Sequence, residues 1–483
     1  MLFNSFEFFL FFPIVTIIYF LLPYPYRWMH LLLASCIFYC AFIPAYIFIL
    51  FFTIAVDYIA GLSIENAKGS RRKLFLIISI VANAGVLAFF KYYNFFTENI
   101  NAVLNGLNIT RHELPYLDII LPIGLSFHTF QAMSYTIEVY RGRQRAERHL
   151  GIYALYVLYY PQLVAGPIER PQQLLPQLKA EHPFKYEKVV GGLRLMLWGM
   201  FKKVVIADNL GLFTDQVFNA PSRYRGVILL IAMLFYAFQI YCDFSGYSDI
   251  AIGASRVMGI DLMKNFDRPF VSKNVTEFWR RWHISLSTWF NDYLFTPLVI
   301  ARRDWGKTAV VFALFVTFSI SGLWHGAGWT FLAWGLLHGI AVGFEFLTKK
   351  SRLKIAKKIP PTIYKTGSLF LTFVFLCIAW VFFRAISIHD AVYILSHCLD
   401  HTISVTNILT QLDSLGVGIQ RLIFLFALLL FLLLSEKLVI AKGLDAWIGK
   451  KPAVVRWSIY YLLLILMINA GVWGERQFIY FQF

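Results

Sequence analysis

The 483-residue chain is 59% hydrophobic and only 15% charged, where a soluble domain carries about 25% charged residues. A water-exposed surface on a chain this long needs more polar residues than that, so the composition excludes a soluble globular protein and points to lipid as the solvent. The formal net charge of +17 does not indicate a nucleic-acid partner, because the basic residues fall in short clusters between apolar runs: Lys68 with Arg71, Arg72 and Lys73; Arg141 to Arg148; Lys349 to Lys358; Lys442 with Lys450 and Lys451. That is the pattern of cytoplasmic loops facing anionic membrane lipid.

A spanning helix needs about 20 predominantly apolar residues. The first run covers Phe8 to Leu22; it has no basic residues before it and no small-residue cleavage site after it, so it reads as a retained span. Trp28 to Leu62 is long enough for two helices, breaks near Pro44 and carries Asp57; a fourth run lies near Leu74 to Phe90. If the Lys68 to Lys73 loop that follows three spans is cytoplasmic, the N-terminus lies outside. Leu117 to Tyr140, Tyr153 to Leu163 and Val189 to Ile206 are interrupted by Pro, Gly or charge and predict short, tilted or re-entrant helices. Irregular backbone at membrane depth persists only where protein or a water-filled cavity satisfies it, so the middle third is expected to enclose something. Later runs are Val227 to Tyr241, Ala309 to Leu323, Trp329 to Phe346, Leu369 to Phe383, Leu422 to Leu434 and Ile459 to Val472. The expectation is an all-α polytopic membrane protein with roughly 11 to 13 membrane helices, short ones included. With no repeat or long soluble linker, residues 1–483 read as one domain.

The five cysteines are odd in number and lack metal spacing, so neither a disulfide framework nor a metal site is expected. Ionisable groups among membrane segments each need an account. In Glu277 to Asp292, the residues Phe278, Trp279, Trp282, Leu286, Trp289, Phe290 and Tyr293 fall at helical spacing and make one apolar stripe. His283 belongs to that face, either as a packed residue of an interfacial helix or as a functional imidazole. His325 ends an apolar run in Ser321-Gly322-Leu323-Trp324-His325-Gly326. It is either a helix-end histidine satisfied by a carbonyl or a general base, and the glycines around it permit close approach. His338 on the same continuous helix would point about 220° away. The string Gln239 to Asp249 carries Asp243 and Asp249, which either orient a histidine or pair with Arg280, Arg281 or Lys203. A buried imidazole stays neutral and can take a proton from a hydroxyl that attacks an acyl group.

Trp324-His325-Gly326 at the end of an apolar run, with Arg281-Trp282-His283-Ile284-Ser285-Leu286-Ser287 before it, resembles the signature of the membrane-bound O-acyltransferases. Further strings resemble the bacterial alginate-acetylation branch: Leu121 to Phe127, Val164 to Ile168, Tyr241 to Asp249, and Phe478 to Phe483. The resemblance runs nearly end to end. It implies a ring of helices around a funnel or tunnel, with His325 at the catalytic point as base and His283 as the second histidine. Trp324, Trp282, Ser321, Asp243 and Ser245 are the candidate substrate contacts. It also implies an acyl donor on the cytoplasmic side (acetyl-CoA or an acyl carrier protein, with no bound cofactor), a polysaccharide acceptor and a bacterial inner-membrane location. D-alanyl and peptidoglycan O-acyl transfer belong to related branches. His128 stands where the family suggests an aromatic or small residue, and neither it nor His338 receives a role. The chain has no Gly-x-Ser-x-Gly elbow, so an exported esterase-like partner is expected to complete transfer to an external polymer. A transporter for a lipid-linked sugar and a non-catalytic scaffold are the competing readings.

Overall fold

The computed structural model describes every residue except 110–112, 165, 401–403, 439, 441–442, 475–477 and 482–483, and describes backbone only at 405 and 481. Ala165, Lys442, Gln482 and Phe483, singled out in the sequence, lie outside the described residues. Among the described residues every regular element is helical. Eight helices among the described residues are long and apolar enough to cross a membrane, accompanied by shorter ones such as Phe6–Leu21 and Leu125–Tyr140. The protein is an all-helical, multi-pass membrane protein.

The chain forms two compact units. The first comprises Met1–Leu193 and Ile250–Met263, the second Arg194–Asp249 and the described part of Lys264–Gln482.

In the first unit the main helices are α1 (Phe6–Leu21), α2 (Tyr24–Cys40), α3 (Ile47–Asn66), α4 (Ser70–Gly106) and α5 (Leu125–Tyr140). Ser5 starts α1 by accepting from the Phe8 N–H, one of the helix-start donors that has no intrahelical partner. At 37 residues, α4 is about 55 Å long. It therefore outruns the hydrocarbon layer, well past the apolar run predicted to end at Phe90. Arg72 donates to the carbonyls of Ile64 (3.1 Å) and Tyr140 (2.9 Å), capping the ends of α3 and α5. Glu65 pairs with Arg148 and accepts from the Ala146 N–H. The two basic clusters at 68–73 and 141–148 therefore share one end of this unit.

Buried polar groups tie α3, α4 and α5 together. Asp57 accepts from Ser79 Oγ (2.6 Å) and Asn83 Nδ2 (2.9 Å), Ser79 also reaches Thr136 (2.9 Å), and His128 Nε2 bonds Thr53 Oγ1 (2.6 Å). His128 thus has a structural partner that the sequence did not reveal.

The second unit is built on most of α6 (Val227–Val257), with α7 (Val275–Trp279), α8 (Ile284–Phe290), α9 (Lys307–His325), α10 (Trp329–Leu347), α11 (Pro361–Arg384), α12 (Ile419–Leu438) and α13 (Ala453–Ala470). The most apolar stretch of α6 is 78% buried and that of α13 only 11%. One is a core helix, and the other presents its sides to lipid. The polar string Gln239 to Asp249, expected at the end of an apolar run, lies inside α6. The helix continues through it because basic partners meet its acids: Lys203 with Asp243 (2.7 Å) and Lys202 with Asp249 (2.8 Å). Both lysines stand on a π-helical turn, Lys202–Ala207.

Candidate active site

Two short helices flank His283 where the aromatic spacing predicted one continuous helix. Asn274 caps α7 by accepting from the Glu277 N–H (2.8 Å). The chain then turns, and His283 adopts φ 43°, ψ 54° before α8 begins. A non-glycine residue in this left-handed region costs about 1–3 kcal/mol and persists only where its surroundings over-determine it. Here they do. The Asp267 N–H donates to Arg281 O (2.8 Å) and the Ile284 N–H to Asn265 O (2.9 Å), clamping the turn from both sides.

The His283 side chain is fully buried. Its ring meets Phe244 (4.6 Å between centroids), Trp324 (6.2 Å), Phe266 (6.4 Å) and Tyr480 (6.4 Å). Burial among these uncharged groups holds its imidazole below the ordinary histidine range, so the ring is neutral at pH 7. Nδ1 lies 3.1 Å from Asn265 Oδ1.

His325 is the last residue of α9 and is 2% exposed. Its ring sits 4.9 Å from Trp324, 4.9 Å from Trp334, 5.3 Å from Phe383 and 5.4 Å from Tyr480. The extended Gly326 ends the helix, and α10 packs back along α9 by way of a glycine crossing. A Cβ on Gly335 would run into the Phe318 carbonyl and the Gly322 backbone, and one on Gly322 into the Phe331 carbonyl. The reversal brings together two imidazoles that one continuous helix would have kept apart, since both touch Trp334. His338 is fully buried, and its Nδ1 accepts from Trp279 Nε1 at 3.2 Å.

Trp324 and Tyr480 each touch both His325 and His283. Tyr480 went unnoticed in the sequence, where its only signal was the aromatic terminal string. It is held by the Ile479 N–H, which donates to Asp243 Oδ2 (2.8 Å), and by Phe478, which stacks on Tyr247 (4.7 Å). Asp243 and Lys203, with Asp208 on the same ammonium (2.8 Å), form a buried ionic cluster under this segment. Ser245 accepts from Lys202 (2.8 Å). Trp282 stacks on Phe278 (5.4 Å) and packs on Trp380 (5.0 Å), forming a wall behind His283, and Ser321 is buried one turn before His325.

A profile of the membrane-bound O-acyltransferase (MBOAT) family matches residues 143–388, a stretch that contains both histidines. Over 395 residues the chain is 37% identical to the probable alginate O-acetylase AlgI of Pseudomonas syringae pv. tomato, covering 81% of this chain and 74% of that protein. This chain belongs to the membrane-bound O-acyltransferase family. It is also similar to the peptidoglycan O-acetyltransferase of Helicobacter pylori, at 36% identity over 82% of this chain and 79% of the relative. The teichoic acid D-alanyltransferase of Bacillus subtilis is 29% identical over 58% of this chain and 72% of its own length. As an O-acyltransferase, the protein joins a hydroxyl to an acyl group. A neutral imidazole within an aromatic enclosure can accept the proton that such a step releases.

Proposed function

We propose that this O-acyltransferase moves an acetyl group from a cytoplasmic-side thioester, acetyl-CoA or an acyl carrier protein, toward hydroxyls of a cell-surface polysaccharide such as alginate. The hydroxyl oxygen attacks the acyl carbon, the carbon–sulfur bond breaks, and the hydroxyl proton passes by way of imidazole to the departing thiolate. The observation that carries this reading is the pair of buried imidazoles, His283 and His325, linked through shared contacts with Trp324 and Tyr480. Aromatic walls keep water from the acyl group, and holding donor and acceptor in one passage supplies much of the rate. The passage is read as a tunnel reaching His325 from both faces, in a bacterial inner membrane whose cytoplasmic side bears the basic clusters. An exported esterase-like partner completes transfer to the polymer. Trp324, Trp282, Ser321, Asp243 and Ser245 are read as substrate-lining groups, with Asp243 also holding the terminal segment through the Ile479 amide.

The test is the O-acetyl content of the surface polysaccharide in cells carrying His325→Ala or His283→Ala, with membrane insertion verified. Both variants are expected to lose acetylation, and a normal acetyl content in either rules that histidine out of the chemistry. A second acceptor, peptidoglycan, is favoured by the similarity to the Helicobacter pylori protein over most of both chains. Deleting the protein and measuring which polymer loses its O-acetyl groups separates the two.

A further inference from the structure

In the first unit, beside the basic cluster at 141–148, the turn between α1 and α2 borders a cleft of about 220 Å³. The start of the helix Leu150–Leu158 and the stretch at the end of the helix Pro171–Leu178 complete its wall. Leu31, Ile152 and Ile260 give it an apolar side. Two ties fix its shape. The Tyr24 hydroxyl donates to the Lys179 carbonyl, and Arg27 donates from Nη1 to the His182 carbonyl (2.7 Å) and from Nε to that of Leu22 (3.0 Å). The guanidinium also lies over the Tyr19 ring, 5.0 Å from its centroid. The two cations of the lining differ in their partners. Lys179 is paired with Glu147 (2.5 Å). Arg27 meets only carbonyls and rings, and among the described residues no carboxylate pairs with it or lines the cleft. His149 adds a donor. Its Nδ1 accepts from the Ile152 N–H (3.2 Å), so the neutral ring carries its hydrogen on Nε2. The same ring meets Trp28 edge-on at 4.7 Å.

We propose that this cleft binds one anionic phospholipid from the leaflet on the side of the basic clusters, with its phosphodiester on Arg27 and His149 and its glycerol esters against the apolar side. Charge decides the class of ligand. One guanidinium without a counterion matches the single negative charge of a phosphodiester, and its fork suits two phosphate oxygens. A nucleotide polyphosphate brings several charges, and with Lys179 already paired the cleft offers no second lysine or arginine to meet them. The surroundings decide between a lipid and a free phosphate ester. Next to the lining residues in the chain stand Leu21, Tyr26 and Phe184, all exposed, and Phe184 packs on Phe20 (5.4 Å). Exposed aromatic and aliphatic side chains beside cations are the composition of a membrane–water boundary, and basic pockets between membrane helices hold lipid headgroups. A lipid seated here bridges the α1–α2 turn and the stretch 177–182, so its binding stabilises this end of the first unit.

The experiment follows thermal unfolding of the purified full chain in mild detergent as lipid is titrated in. Phosphatidylglycerol is expected to raise the unfolding temperature at concentrations about 10-fold below those that phosphatidylcholine needs, because choline supplies its own cation to the phosphate. Glycerophosphoglycerol, the same headgroup without acyl chains, and coenzyme A are expected to give no shift over the same range. Arg27→Gln is expected to weaken the phosphatidylglycerol effect about 10- to 100-fold, to the phosphatidylcholine level. Phosphatidylglycerol carrying a photoreactive group near its ester carbonyls is expected to label residues 19–31 and 177–182 of the wild type more strongly than the lipid-facing α13. Four results overturn the assignment: equal effects of the two lipids on the wild type, an unchanged preference in Arg27→Gln, protection by coenzyme A or the deacylated headgroup as strong as by the lipid, or labelling no stronger there than on α13. Should Arg27→Gln fail to insert, the lipid comparison and the labelling decide.

Discussion

The two units bury polar side chains to different ends. In the first, Asp57 is met at once by Ser79 and Asn83, and His128 by Thr53, so each polar group joins one regular helix to another. In the second, His283 stands at a break between helices and His325 at a helix end, and both face the rings of Trp324 and Tyr480. Mid-helix polar residues that satisfy one another hold α3, α4 and α5 together. Imidazoles placed where a helix stops are left with an edge turned toward other elements. What separates the two sets here is the backbone beneath each residue more than the residue type.

That contrast can be tested by substitution. The largest effect is expected at His325. Replacement by alanine should cut the acyl-transfer rate per inserted molecule by about 10²–10⁴-fold while thermal unfolding in detergent stays close to wild type; an unchanged rate would erase the distinction between the two units. Next comes the crossing that seats His325. Gly335→Ala forces a methyl against the Phe318 carbonyl and is expected to destabilise by about 1–3 kcal/mol, lowering both the unfolding temperature and the rate; a variant with wild-type values for both would show that α9 and α10 can separate freely. In the first unit, Asp57→Ala strips Ser79 and Asn83 of their acceptor and should cost about 1–3 kcal/mol with the rate per folded molecule unchanged. A specific loss of rate there would make that cluster part of the chemistry. The smallest effect concerns pH. Burial lowers the pKa of His283, so the ring stays neutral as the medium passes downward through the ordinary histidine range, about 6.5. Rates measured at pH 7.5 and pH 6 are therefore expected to agree, and a halving near 6.5 would mean that the imbibed ring titrates as if in water.

Much of this was legible in the sequence. The charge deficit and the apolar runs gave the all-helical membrane architecture, and the Trp-His-Gly and Arg-Trp-His strings pointed to the two histidines that share Trp324. The turn at His283 was not legible. Phe278, Trp282, Leu286 and Trp289 keep a helical period across the break, and the break is imposed by backbone pairing with residues 265–267, which local spacing cannot report. For the same reason a lone Asn265 in an irregular stretch carried no signal. Tyr480 was hidden by distance along the chain, because groups remote in sequence, the Asp243 carboxylate and the Tyr247 ring among them, bring it to His325. The meeting of His338 and His325 at Trp334 was not legible, because two separate apolar runs do not tell how their helices pack; three glycines between positions 322 and 328 were the available hint of the close crossing.

The packing of Tyr480 against His325 has a consequence for assembly. The two residues stand far apart in the chain, so their contact closes a long loop whose entropic cost has to be offset locally. The Ile479 amide on Asp243 and the Phe478 ring on Tyr247 supply that offset, and they fasten the segment before the phenol ring can lie against the imidazole.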